Sequence, residues 1–317
     1  MNETLPNAVL CVGMLNCDVF FRNTPKNLMH TDTSFMRDVT MLVGGDAANV
    51  SQNLAHMGIT SYLAANVAGD VFGQHVCDTL EGEGVDTRFV RRDSETGTAV
   101  SLFFYDTDGK KHCGAFRGGN RSFHPDMVSD EMLKSARHMH IGSFVTLESF
   151  IGQPAENLIR RAKALGLTVS ADISGGSAAD RDTMRRVIPL CDVFTMTEEE
   201  PLELTNETAM KRASEKLREF APALLILKQG ARGVFVTEYK GYEKQLAPLA
   251  RPEEVKDAVG AGDSFISGYI AALLHGESRD ECIKTGSAAS AICISDFGAS
   301  NWKVSYEQVR AFAAERA

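Results

Sequence analysis

The chain of 317 residues lacks any excess of positive charge: 42 acidic residues stand against 33 basic ones, for a net charge of −9. A surface that is negative overall is a poor counterion for nucleic acid or an anionic membrane, although a local basic pocket for a phosphorylated ligand stays open. Cysteines are few. The seven, at positions 11, 17, 77, 113, 191, 282 and 293, are odd in number and show no C-x-x-C spacing. That excludes a zinc cage and a disulfide framework and points to a reducing compartment. Cys11 and Cys293 lie in apolar runs, where thiols pack as small hydrophobes. The start, MNETLPNAVLCVG, has no basic segment followed by an apolar one, so no signal peptide is expected. The longest apolar run, near 265–274, is too short to span a bilayer. A cytoplasmic setting follows. Three motifs are also missing: G-x-x-x-x-G-K-[ST] of P-loops, G-x-G-x-x-G after the first strand, and the G-x-S-x-G elbow of hydrolases.

What is present suits a large α/β core. Hydrophobic residues make up 44% of the chain. AVLCVGML (8–15) is a continuous apolar run ending next to glycine, as in a buried parallel strand. DAANVSQNLAHMG (46–58) has helical apolar spacing, with Gly58 placed to end the helix and Asp46 placed to cap its start. The spacing predicts a strand over 61–69 and a helix over 71–84. Then the pattern changes. GTAVSLFFYDTDGKKHCGAFRGG (97–119) is two β-rich runs around Asp-Gly, a hairpin signal. It departs from the strand–helix series, as does an irregular insertion at 17–43. The two would pair as a small β lid on a single domain spanning 1–317. Alternation resumes with strands near 138–143, 167–172, 192–196 and 223–230, and helices near 154–165 and 207–220. An antiparallel pair (233–238, 242–248) and helices at 261–274, 278–294 and 305–315 follow. Repeated strand–helix units predict a doubly wound, mostly parallel sheet flanked by helices.

Two segments carry the chemistry. In DAVGAGDSFISGYIAALLHG (257–276), Gly260, Ala261 and Gly262 open a helix. Backbone N–H groups there have no intrahelical acceptor, and the helix dipole adds positive potential, so the turn suits an anion such as a phosphoryl group in transfer. Asp263, in the first turn, reaches the same point and can take a proton from an attacking hydroxyl. The bland alternative is glycines for close packing and an acidic first turn. In VGGDAANVSQNLAHMG (43–58), Gly44 and Gly45 precede a helix whose first turn holds Asn49, able to donate to and accept from vicinal hydroxyls. Asp18 follows the first strand, at the end of the sheet where open α/β folds bind ligands. His138 and His140 share one face of a strand. Without further ligands nearby they are incidental rather than a metal pair.

Taken together, these segments make the chain similar to the ribokinase, or PfkB-type, family of carbohydrate kinases. GGDAANVSQNLAHMG (44–58) resembles that family's G-G-x-x-x-N-x-A-x-x-L-x-x-L-G, and DAVGAGDSFISG (257–268) resembles its D-T-x-G-A-G-D-x-F-x-x-G. AGDVFGQHVCDTLEGEGVDT (68–87), LKQGARGVFV (227–236) and SDFGAS (295–300) match further family stretches. The resemblance implies a ribokinase-like fold and an ATP- and Mg²⁺-dependent kinase. It implies Asp263 as base and Gly260, Ala261 and Gly262 as anion hole. Asp18, Gly44, Gly45 and Asn49 would hold a sugar, with Arg117 and Asn120 at the lid edge. Thr197, Lys228, Gly230, Gly233, Gly262 and Ser287 would lie along ATP, with Glu200 linked to Mg²⁺. Asp257 and the carbonyls of Val259, Ser295 and Gly298 would hold a monovalent cation such as K⁺. The chain departs from the pattern at Thr197, Ser174 and Ser287, where asparagine is usual, and at Ala258, where threonine is common. Asp172 is retained.

The expected activity is ATP-dependent phosphorylation of a hydroxymethyl group on a sugar or sugar-like substrate, with a homodimer through the lid conceivable. Nucleoside kinases of the same family need an aromatic slot, which SLFFYD (101–106) can supply. Sugar-phosphate kinases need cations, for which Arg22, Lys26, Arg37 and Arg117 are candidates. A non-catalytic sugar- or nucleotide-binding regulator would not need the intact G-A-G-D.

Overall fold

The computed structural model describes residues 5–92, 95–173, 181–220, 224–238 and 241–316. Along the chain the strands are β1 (Ala8–Val12), β2 (Asn16–Thr24), β3 (Asp38–Gly44), β4 (Thr60–Asn66), β5 (Val90–Arg91), β6 (Ala99–Asp106) and β7 (Lys111–Phe116). They continue with β8 (His138–Ile141), β9 (Thr168–Asp172), β10 (Val193–Thr197), β11 (Leu224–Lys228), β12 (Val234–Thr237) and β13 (Glu243–Leu246). The helices are α1 (Asp46–His56), α2 (Val71–Gly82), α3 (Asp130–Lys134), α4 (Gln153–Ala164), α5 (Arg181–Val187), α6 (Glu199–Thr205), α7 (Met210–Phe220), α8 (Ala261–Leu274), α9 (Arg279–Cys293) and α10 (Tyr306–Arg316).

Nine strands form one sheet in the order β13-β12-β11-β10-β9-β8-β1-β4-β5. It is parallel from β11 to β5 and ends in an antiparallel hairpin, β12–β13. Both faces are covered, as a parallel sheet requires. In β1, Val9 and Cys11 enter a core shared with α1, α2, α8, α9 and α10. Ala8, Leu10 and Val12 enter the opposite core, with α3, α4, α5, α6 and α7. Successive strand residues point to opposite faces, so a continuous apolar run feeds both layers. No helix among the described residues is long and apolar enough to cross a membrane.

A second sheet of four strands runs β3-β2-β6-β7. It is built from the segments 16–44 and 99–116, and β2 joins β6 in parallel. The stretch expected to be irregular (17–43) is therefore largely regular, because β2 and β3 pair over seven residues. The helix expected over 207–220 is α7, and a separate short helix, α6, precedes it and ends at Asn206 with a left-handed backbone (φ 55°). Ser174 lies outside the described residues.

Candidate functional site

The N-terminus of α8 is set by Gly260, its N-cap, at φ 76°. Such a backbone favours glycine, and a Cβ there would also collide with Ala299. The Ala261 N–H turns back to the Ala258 carbonyl at 3.3 Å. Gly262 and Asp263 follow in the first turn, where N–H groups lack intrahelical acceptors. The Lys228 ammonium sits directly over Gly262, 2.8 Å from where a Cβ would be. A cation and a helix N-terminus thus converge on one point.

α1 packs its own first turn against that of α8. Gly45 is its N-cap at φ 95°, so Asp46 is the first helical residue and not the cap. The Asp46 carboxylate instead accepts from the Ser143 hydroxyl. Asn49, 6% exposed, donates from Nδ2 to Asp263 Oδ2 at 2.7 Å. One turn on, Asn53 Nδ2 and Trp302 Nε1 both donate to Ser264 Oγ, at 3.2 and 2.9 Å. These bonds fix the two helix starts to each other. Asn49 Oδ1 is buried and has no protein partner, which leaves an acceptor beside the carboxylate. Asp263 is pushed up to about 7, first by burial and then by the charge of Asp172, against the Asn49 hydrogen bond and Lys228. A carboxyl that titrates near neutrality is suited to general base chemistry.

Asp18 lies within β2, opposite Leu42 and Ser101, not in a loop beyond the first strand. A Cβ on Gly44 would collide with its carboxylate. Burial pushes Asp18 up to about 6, against a hydrogen bond from Ser101, and its Oδ1 has no partner. Asn120 is buried; Oδ1 accepts from Leu15 N–H at 3.3 Å and Nδ2 donates to Asn16 Oδ1 at 2.6 Å. It ties the entry of β2 to the segment after β7. Arg117 is half-exposed and pairs with Glu148 at 2.7 Å. The other cations named above are also at the surface: Arg22 pairs with Asp38, Lys26 with Asp108, and Arg37 is exposed.

Because paired residues share a sheet face, Asp18, Leu42 and Ser101 share theirs with Phe20, Phe103 and Tyr105. Phe20 and Phe103 stack with centroids 4.7 Å apart, and Tyr105 extends the row at 6.4 Å from Phe20. This face turns toward the loop after α9. Leu42 packs at Gly298, and the Arg22 guanidinium lies 5.5 Å from the Phe297 ring centroid.

On the other side of Gly262 is an apolar slot. Lys228, Gly230, Gly233, Ala261, Gly262 and Ser287 line it together with Val234, Phe265, Ala291, Ile294 and the segment 247–250. Thr197 pairs in register with Lys228. Its N–H donates to Glu200 Oε2 at 2.7 Å, and burial raises the Glu200 carboxyl. Asp257 accepts from Val259 N–H (3.1 Å) and Gly298 N–H (3.2 Å), bridging two loops. The carbonyls of Val259 and Gly298 both lie toward Cys293 Sγ, at 3.5 and 3.9 Å. The Ser295 hydroxyl donates to the Ile292 carbonyl.

The structure thus sets Asp18 against Gly44, Asn49 against Asp263 and Lys228 against Gly262, with Gly45 and Gly260 opening the two helices, and leaves Arg117 at the surface. It adds residues that spacing did not reveal. Asp46 and Asp172 converge with Asp263, one carboxylate oxygen of each lying within 4.8 Å of the others. The apolar wall from 247–250 follows the edge hairpin and carries no motif. His138 and His140 belong to no possible metal cluster among the described residues.

A model of the pfkB family carbohydrate kinases matches residues 7–304. The ribokinase of Arabidopsis thaliana is 25% identical over 303 residues, covering 92% of this chain and 77% of its own. A nucleoside kinase of Methanothermobacter thermautotrophicus is 25% identical over 291 residues, covering 90% and 89%. Among solved structures, Arabidopsis thaliana ribokinase complexed with ribose and ATP superposes with a TM-score of 0.83 at 21% identity, over 96% of this chain and 98% of that one. A putative ribokinase II from E. coli in complex with ATP and Mg²⁺ gives 0.82 at 19% identity, over 97% and 99%. The sheet order and flanking helices are therefore ribokinase-like, and the chain belongs to the pfkB family of carbohydrate kinases.

Proposed function

We propose that the protein transfers the γ-phosphoryl group of ATP to a hydroxymethyl group of a sugar or sugar-like substrate. The observation that carries this reading is the 2.7 Å bond from Asn49 to Asp263 at the N-terminus of α8. It sets a hydroxyl-binding amide and a near-neutral carboxylate beside an anion-binding turn. Asp18, Gly44, Gly45 and Asn49 hold the sugar, and Asp263 accepts the proton of the attacking hydroxyl. That oxygen bonds to the γ-phosphorus as the bond to the β,γ-bridging oxygen breaks and ADP leaves. Gly260, Ala261, Gly262 and Lys228 face the charge spread over the transferring group. Phosphoryl transfer gains most from positioning and such electrostatics, and a base adds roughly 10²–10⁴-fold.

The apolar slot beyond Gly262 suits an adenine ring, with Ser287, Gly230 and Gly233 along its edge; both solved relatives named above are ATP complexes. Mg²⁺ on the phosphates would supply charge neutralisation, and Glu200, in the first turn of α6, would be the carboxylate that engages it. The carbonyls of Val259 and Gly298 converge, so with Ser295 and Asp257 they suit a K⁺ that stiffens the anion hole. The four-stranded sheet serves as a lid. Arg117 and Asn120 edge it, and its outer face exposes Val39, Met41, Leu102 and Phe116, apolar surface suited to a homodimer. Seven free thiols fit a reducing, cytoplasmic setting.

One observation favours a second substrate class. The stacked Phe20–Phe103 pair shares a sheet face with Asp18, and flat rings suit a nucleobase. One experiment tests the whole reading: ADP release across a panel of sugars, polyols, nucleosides and their phosphates, with Asp263→Asn alongside. Turnover of any member by the wild type and not by the variant supports it. Near-wild-type turnover by the variant refutes the base.

A further inference from the structure

Beneath α8 a row of buried polar side chains runs along β8 and β9. His138 and His140 lie on one strand, with Thr168, Ser170 and Asp172 beside them in parallel register. His138, His140 and Ser170 are 0% exposed and Asp172 is 1% exposed. The contacts are sequential: Thr168 Oγ1 to His138 Nδ1 at 2.8 Å, His138 Nε2 to Ser170 Oγ at 2.8 Å, and Ser170 Oγ to His140 Nδ1 at 2.9 Å. At the end, His140 Nε2 lies 3.8 Å from Asp172 Oδ2 and makes no hydrogen bond. That gap is longer than a hydrogen bond but short for a dipole facing a charge in a dry interior.

We propose that His138, Ser170 and His140 form a one-way hydrogen-bond chain that holds an N–H toward the Asp172 carboxylate, so that His140 and Asp172 are positioning residues for the base. The inference rests on Asp263 being that base. Burial drives both imidazoles down, to about 3 for His138 and about 4 for His140, so both are neutral at pH 7. A neutral imidazole has one N–H and one lone pair, and a serine hydroxyl has one proton. Ser170 can therefore donate to at most one ring, and it can accept from one ring or both. In one sense of the chain, Thr168 donates to His138 rather than to the Arg137 carbonyl 3.4 Å away, His138 donates to Ser170, Ser170 to His140, and the His140 Nε2–H faces Asp172. In every other sense a lone pair faces a carboxylate, which is repulsive. The Asp172 carboxylate therefore selects the first sense.

Asp172 is also held by the Ser143 N–H at 2.7 Å, from a residue in left-handed conformation (φ 52°). The charge of Asp172 is the second cause, after burial, of the raised Asp263. Other groups facing these carboxylates include Asp46 from α1, Lys228 from β11, and Glu200 from α6. Lys163 faces the His138 end. A core histidine pair that merely filled space would be satisfied by any sense of the chain, so the sense is the testable content.

Two measurements on the full chain decide it. The first is the ¹⁵N NMR tautomer of the buried imidazoles in the wild type. Nε2–H forms of both rings are expected; an Nδ1–H form at either ring would overturn the proposal without any variant having to fold. The second is kcat/KM against pH for Ser170→Ala and His140→Leu, with Ser170→Thr and His140→Gln as variants that keep a hydroxyl or place an amide N–H near Nε2. Losing the donor changes the field that reaches Asp263 past the Asp172 carboxylate. The acid limb should then move, by about 0.5–1 unit, and the plateau kcat should fall roughly 3- to 30-fold with KM for ATP within about 2-fold. The conservative pair should stay near wild type. Lower Tm with an unmoved limb, or His140→Gln behaving as His140→Leu, overturns the chain. If Asp263→Asn keeps its turnover, it is the base assignment that fails instead.

Discussion

Asn49→Ala is the most direct probe of the reacting centre. Asn49 Nδ2 donates at 2.7 Å to a buried Asp263 carboxylate. A hydrogen bond to a charged group contributes roughly 1.5–3 kcal/mol. At about 1.4 kcal/mol per pH unit, its loss should raise the Asp263 titration by about 1–2 units. The sign follows from the chemistry: the bond favours the ionised form, and its removal favours the protonated one. As the proposed base, Asp263 must be ionised to act, so kcat/KM should rise through about 7 in the wild type and through roughly 8–9 in the variant. At pH 7 only about 1–10% of variant molecules would hold an ionised base, against about half of the wild type. A water entering the vacated space would restore part of the donor and bring the shift to the lower end. Asn49 is also a proposed sugar contact, and that loss lowers kcat/KM at every pH without moving the limb. Discontinuous ADP quantification from pH 5 to 10 with saturating ATP separates the two effects. A limb that stays in place or moves to lower pH refutes the argument.

Asp263→Asn should abolish turnover by at least about 10²-fold yet stabilise the fold. The folded carboxyl titrates near 7 instead of 3.8. The native state thus binds its proton more tightly, and wild-type stability falls as pH rises between those values, by at most about 4 kcal/mol. Denaturant melts should show the gain of the variant growing from pH 4 to pH 7 and then levelling; a pH-independent difference contradicts this. Gly260→Ala combines a left-handed backbone with a clash at Ala299, so it should cost upward of about 1 kcal/mol in stability and remove most activity; a fully active variant of wild-type Tm would show that the turn tolerates a side chain. Lys228→Met, which removes the cation over Gly262, should lower kcat by roughly 10²-fold or more, with circular dichroism unchanged; a change in KM alone would restrict Lys228 to ground-state binding. Phe103→Ala removes one half of the stack on the Asp18 face and should weaken nucleosides roughly 5- to 50-fold more than free sugars. Equal losses would remove the case for a nucleobase.

The parts of this protein legible in its sequence are those where local chemistry and periodicity agree. β1, α1 and α8 follow from an apolar run, a glycine pair and a Gly-Ala-Gly-Asp turn, because backbone demands there leave few other residues possible. Asp263 was legible for the same reason: its place in the first turn depends only on its neighbours in sequence. Asp46 looked like a helix cap because acidic residues usually occupy that position. Gly45 takes it instead, since only glycine meets both φ 95° and the close Met14 carbonyl, 2.5 Å from a would-be Cβ. The histidines show the limit most clearly. An i, i+2 pair in an apolar strand signals a shared face and nothing more. What gives His138 and His140 partners is Ser170, thirty residues or more away in sequence and brought alongside by a crossover through α4. Only the register of β8 against β9 joins them. A buried polar group is costly unless each of its partners is in place, so a row of them leading to Asp172 carries information about the proposed base that no local spacing contains.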